Sequence, residues 1–174
     1  MTTISKSYDV AKFTENPIPI NKLQELSKIS LEYQTNIAKF LKTRSKKKIH
    51  NFKKHYKWWD EFYIYKILKR IVPTHRTEID AIINIDDGIY NDITYKEIRS
   101  KLKPVIEHLS SEDWELFNSY LSWFAINKLI YGVEVDEGCE SQYKSIHTAI
   151  ELSKLPNKAE WLDHVSKEIS GWWD

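Results

Sequence analysis

The chain has 174 residues, an apolar fraction of 41%, a charged fraction of 29% and a net charge of +1, values that exclude a disordered chain and suit one core-forming domain. Its single cysteine, Cys139, excludes an internal disulfide and makes a reducing compartment, the cytoplasm, the expectation. No uninterrupted apolar run reaches spanning length, and the start MTTISKSYDV has no basic region leading into an apolar run, so neither a membrane segment nor a signal peptide is expected.

In chain order, residues 1–20 lack a stable periodicity, and Asn16-Pro17-Ile18-Pro19 is held extended by proline geometry. An arm is expected there, ahead of a globular domain at 21–174. Asn21 offers a cap to a first helix reaching about Arg44, in which Leu23, Leu26, Tyr33, Ile37, Phe40 and Leu41 recur at helical spacing. A second, longest helix is predicted from about Ser45 to Ile71, where Pro73 stops it. Its later half is apolar on several sides (Trp58, Phe62, Ile64 and Leu68 beside Trp59, Tyr63 and Ile67), so neighbours should touch it from more than one direction.

Thr77 then caps a short helix with Ile79, Ile82 and Ile83, which runs out at Asp86-Asp87-Gly88. Thr94 and Glu97 form a capping-box pattern for a helix with Ile98 and Leu102 inward and Pro104 as a kink or restart. The stretch from Ser110 to Gly132 is the one around which the rest should be built. It opens with hydroxyls and three acids (Glu112, Asp113, Glu115) that suit a helix N-terminus, and it closes on Gly132, a candidate left-handed cap. Between those ends it is apolar nearly all round, broken by a polar stripe of Glu115, Ser119 and Ser122 with Asn118 beside it. After an acidic loop with a short extended piece at Val133-Glu134-Val135, two helices are predicted over about Gln142–Leu152 and Lys158–Ser170, and Gly171-Trp172-Trp173 closes the chain as an aromatic plug. The expected fold is therefore all-α, a compact single-domain bundle of about seven helices around a buried central helix at 112–131.

Charge is unevenly spread. Residues 1–75 carry 16 Lys and Arg against 6 Asp and Glu, and residues 76–174 carry 10 against 19. Within the basic half, residues 33–59 contain no acid and hold Lys39, Lys42, Arg44, Lys46, Lys47, Lys48, Lys53, Lys54 and Lys57. Clustered cations of this kind suit a nucleic-acid backbone or an acidic protein, and equally a solvated face. In the acidic half, Glu134, Asp136, Glu137 and Glu140 form a loop without the fixed ligand spacing of a calcium site, which favours a solvated or protein-contacting surface over a metal. Trp172 and Trp173 lie next in line as interface anchors, with core plugging as the alternative.

Two stretches, Arg44…His50 and Arg70…His75, match a loose Arg-x(4–6)-His pattern. This resembles the motif of the HEPN family of helical ribonucleases. The resemblance implies a paired Arg and His from two chains acting on an RNA 2′-hydroxyl and phosphate; Pro73 falls inside the second match, where the family has a helix. Other catalytic signatures are missing: no Gly-rich phosphate loop, no nucleophile elbow, no His-Glu-x-x-His and no cysteine pair occur. The reading that follows is a binding protein without cofactor or metal, an inhibitor of the immunity or antitoxin type that occludes a toxin or nuclease through its acidic half. A nucleic-acid-binding module using residues 39–57 is the alternative, and a HEPN-like ribonuclease a third.

Overall fold

A computed structural model describes residues 20–44, 62–86, 92–135 and 139–172. The expected arm at 1–20 lies outside them apart from its last residue. The described residues form seven α-helices and three 3-10 turns, with no strand, as the all-α expectation requires. After a 3-10 turn at Ile20–Lys22 come α1 (Leu23–Arg44) and α2 (Tyr63–Ile71). A second 3-10 turn at Pro73–His75 leads into α3 (Arg76–Asp86) and α4 (Asp92–Glu107). Then follow α5 (Ser111–Val135), α6 (Glu140–Ser153), α7 (Ala159–Glu168) and a closing 3-10 turn at Ile169–Gly171.

The helices group into two compact units. One takes α1, α5 from Asn118 onward and α6 as far as His147; the other takes α2, α3, α4, the start of α5 up to Phe117, the end of α6, and α7. In the first unit the apolar stripe of α1 is buried at Leu26, Tyr33, Ile37, Phe40 and Leu41, with Ile29 added to it, while Leu23 is half-buried. In the second, α4 packs on both α3 and α7, and Ile79, Ile82, Ile98, Leu102, Trp161, Leu162 and Val165 are buried. Helix α2 is buried at Tyr63, Ile64, Tyr65, Ile67 and Leu68, which no single face can supply, so contact from several sides is found as expected.

Helix α5 starts where the sequence places it. The Asp113 N–H donates to Ser110 Oγ at 3.2 Å and the Ser110 N–H donates to Asp113 Oδ2 at 3.3 Å, a reciprocal capping box that satisfies two otherwise orphaned donors. At α7, Asn157 Oδ1 accepts the Ala159 N–H at 3.0 Å.

Three expectations are corrected. The helix ending at Ile71 does not run unbroken from Ser45, because Phe62 has φ 61° and ψ 17°, a left-handed conformation that no right-handed helix passes through. Residues 45–61 lie outside the described residues. Gly132 does not end α5: the helix continues through Val133-Glu134-Val135, which were expected to be extended. The reason for glycine here is close approach, since a Cβ at Gly132 would lie 3.2 Å from the Cβ of Cys139. Of the kink or restart expected at Pro104, finally, the restart is not found, since the helix continues to Glu107.

Candidate functional site

Of the basic stretch, Lys39 and Lys42 are exposed on the last turns of α1, and Arg44 ends that helix. The Arg44 side chain and Lys46, Lys47, Lys48, Lys53, Lys54 and Lys57 lie outside the described residues. Of the acidic loop, Glu140 is described and opens α6, half-buried, with Lys144 at 2.7 Å one turn on. The Glu134 side chain, Asp136 and Glu137 lie outside the described residues, as does Trp173. Trp172, expected as an interface anchor, is 1% exposed. The closing 3-10 turn folds the chain back, with the Trp172 N–H donating to the Ile169 carbonyl at 3.2 Å, and this puts the indole inside. It plugs its own unit and presents no surface for a partner.

The HEPN-like pair Arg70 and His75 sits on two elements. Arg70 is exposed in the last turn of α2 and His75 belongs to the 3-10 turn that Pro73 begins. The two side chains are therefore not presented by one helix. His50, of the other match, lies outside the described residues.

The polar stripe of α5 is exposed at Glu115, half-buried at Ser122 and buried at Ser119. In the first unit Trp123, 6% exposed, donates its indole N–H to Ser30 Oγ of α1 at 3.1 Å, and Ser30 Oγ donates to Asn127 Oδ1 at 3.3 Å. Asn127 in turn donates Nδ2–H to the Trp123 carbonyl at 2.7 Å, which orients the amide. One turn away Tyr33 meets Ser122. Burial holds the Tyr33 phenol above the ordinary tyrosine range; the Ser122 hydrogen bond offsets part of that and the Glu32 charge adds to it.

The second unit holds three polar or aromatic clusters that the sequence did not announce. In one, the Asp86 carboxylate is 4% exposed and accepts a hydrogen bond from Ser170 Oγ. The Tyr65 hydroxyl faces that carboxylate; burial first, then the negative charge of Asp86, holds its phenol well above the usual range. The helix ends at Asp86, where the Asp-Asp-Gly run places its end, but that run gives no hint that the Asp86 carboxylate faces inward.

In another cluster Trp114 and Trp161 meet edge to face, with ring centroids 5.1 Å apart and planes at 90°, and Phe117 joins Trp161 at 6.0 Å. Lys158 closes this cluster. Its ammonium stands 4.8 Å from the Trp114 ring centre and donates to the carbonyls of Ser153 and, at 2.6 Å, Leu155. It thereby satisfies carbonyls left over where α6 ends. Burial lowers its ammonium below the ordinary lysine value. In the third cluster the rings of His75 and His108 lie 4.4 Å apart, centre to centre. They are 33 positions apart in sequence, and no local pattern joins them.

Among the described residues no helix is long and apolar enough to cross a membrane. Compared with known proteins, the chain matches no family model, no curated protein and no solved structure significantly.

Proposed function

We propose that this chain is a binding protein that performs no chemistry, an inhibitor of the immunity or antitoxin type that occludes a toxin or nuclease by charge and shape complementarity. What supports the reading is the segregation of charge along the chain, 16 cations against 6 anions up to residue 75 and 10 against 19 beyond it. Complementary patches of this kind chiefly accelerate encounter and exclude wrong partners, while a few buried anchors hold the complex. Acids on the later helices, among them Glu97, Glu112, Glu115, Glu160 and Glu168, are exposed and would face a basic partner such as a nuclease groove.

The test is capture from the native cell at low and moderate salt, followed by measurement of association rates with whatever protein is retained. A stoichiometric basic protein, bound more slowly when Glu134, Asp136, Glu137 and Glu140 are all changed to Ser, supports the proposal. Retention of nucleic acid alone rejects it in favour of the basic segment 39–57, of which Lys39 and Lys42 are exposed. In that case reversing Lys46, Lys47 and Lys48 to Glu should weaken binding to many sequences alike and flatten its salt dependence.

A further inference from the structure

We propose that His75 and His108 form a two-imidazole site for a borderline divalent transition metal of the zinc, nickel and copper class. The argument begins with the tautomers. His108 Nδ1 lies 2.7 Å from the Pro104 carbonyl oxygen. That oxygen can only accept, so Nδ1 carries the proton and Nε2 keeps its lone pair. α4 ends three residues after Pro104 and the His108 N–H goes to the Val105 carbonyl, so the Pro104 carbonyl is one of the last of its helix and needs an outside donor.

His75 differs: its Nδ1 is buried and makes no hydrogen bond. Its Nδ1 stands 3.6 Å from Glu78 Oε1, one turn into the next helix. That is longer than a hydrogen bond, but the burial of Nδ1 leaves Nε2 as the ring nitrogen an ion could reach. On both rings the oxygen neighbour lies on the Nδ1 side, and Nε2 is left as the donor atom. For His108, giving the other N–H to a carbonyl is the usual outer arrangement of a histidine ligand in protein metal sites.

Spacing agrees with this assignment. With metal–nitrogen bonds of about 2.0–2.1 Å, two imidazoles on one tetrahedral ion have ring centres about 5 Å apart. The observed separation is 4.4 Å with planes at 51°, somewhat closer than that value. The two rings also come from elements of fixed backbone, the 3-10 turn Pro73–His75 and the turn closing α4, so the pair is organised before any ion arrives. Imidazole nitrogen selects zinc, nickel or copper over magnesium or calcium. Among the described residues no group of three or more His, Cys, Asp or Glu side chains could hold a metal ion. The ion would therefore keep its other positions for water or for a donor atom from another molecule, which makes it exchangeable and not a folding staple.

The experiment uses the full chain without an affinity tag, freed of metal by chelator and titrated calorimetrically with zinc chloride. One equivalent should bind, and His75→Gln and His108→Gln should each weaken binding by about tenfold or more, while His147→Gln, whose ring lies beside Tyr143, leaves it unchanged. Circular dichroism checks that each variant keeps its helices. A second readout needs no variant: nickel added to the wild type should broaden the ring-proton signals of His75 and His108 before those of the other histidines. Absence of saturable zinc binding, equal binding in both Gln variants, or nickel broadening confined to other histidines would each overturn the assignment.

Discussion

Two parts of one helix, the opening turns of α5 and its middle, are buried by contrasting means. At Trp114 and Phe117 the helix meets Trp161 ring against ring, contacts that add about 0.5–1.5 kcal/mol each beyond the area they bury. The Trp161 indole N–H has no hydrogen-bond acceptor there. From Asn118 onward the same helix meets α1 through a relay in which every member has a partner, from Trp123 to Ser30 to Asn127. The aromatic cluster supplies magnitude and tolerates small shifts. The relay supplies register, because sliding α1 by one turn would leave a buried indole N–H unpartnered at about 1–3 kcal/mol.

The largest effects should come from deleting either indole. Trp161→Ala and Trp123→Ala should each destabilise the protein by about 3–5 kcal/mol in denaturant unfolding, since both rings are buried and neither site can collapse fully. A loss below about 1 kcal/mol at either would place that ring at the surface and remove one side of the contrast.

High pH should strain both regions through their tyrosines. Unfolded phenols ionise near pH ~10, whereas Tyr33 and Tyr65 are held above that value, Tyr65 the further of the two. The unfolded chain therefore loses protons first, so stability is intact below about pH 10 and falls as pH rises toward the folded values. Unfolding measured between about pH 9 and 11 should show this slope, and Tyr65→Phe should flatten it more than Tyr33→Phe. Equal flattening by the two would mean that burial, reinforced by Asp86, does not raise the Tyr65 phenol beyond that of Tyr33.

A smaller effect separates the two indoles directly. Trp→Phe removes similar volume at either position but has opposite polar consequences. At Trp123 it strips Ser30 of a donor, and at Trp161 it removes a buried N–H that had no acceptor. Trp123→Phe should therefore cost about 1–2 kcal/mol more than Trp161→Phe. The reverse order would show that register along α1 does not depend on the relay.

Much of this was legible in the sequence, and the misses have physical causes. Helix positions followed from apolar spacing, and Ser110 with Asp113 caps α5 where hydroxyls and acids signal a start, whereas Thr77 and Thr94, expected as caps, lie inside helices that begin at Arg76 and Asp92. Periodicity marked Ser119 and Ser122 as a polar stripe but not what the stripe meets; Tyr33 on α1 supplies the partner of Ser122. Trp172 could be read as plug or anchor, and only the closing turn decides for the plug. Asp86, His75 and His108 depend on meetings between distant positions, which no local pattern encodes. The partner-facing residues proposed for the acidic half rest on charge alone, and charge carries no geometry.

Residues 62 and 132 reverse the ordinary expectation for their side chains, and this gives the smallest and most diagnostic test. Sequence reading put Phe62 inside a helix and gave Gly132 the left-handed turn. In the fold Phe62 has φ 61°, and Gly132 is helical with Cys139 against it. A left-handed conformation costs a residue with a Cβ about 1–2 kcal/mol and costs glycine almost nothing. Replacing Phe62 by Ala or by Gly deletes the same half-buried ring, so the difference between the two variants isolates the backbone. Phe62→Gly should be the more stable by up to about 1 kcal/mol, once the greater freedom of glycine in the unfolded chain is subtracted. At an ordinary helical position Ala would win by a similar amount. At Gly132 that helical gain should be largely lost, because the new methyl must displace Cys139 from 3.2 Å. If Phe62→Ala proves the more stable variant, residue 62 is not left-handed, and the break ahead of α2 must be redrawn as continuous helix.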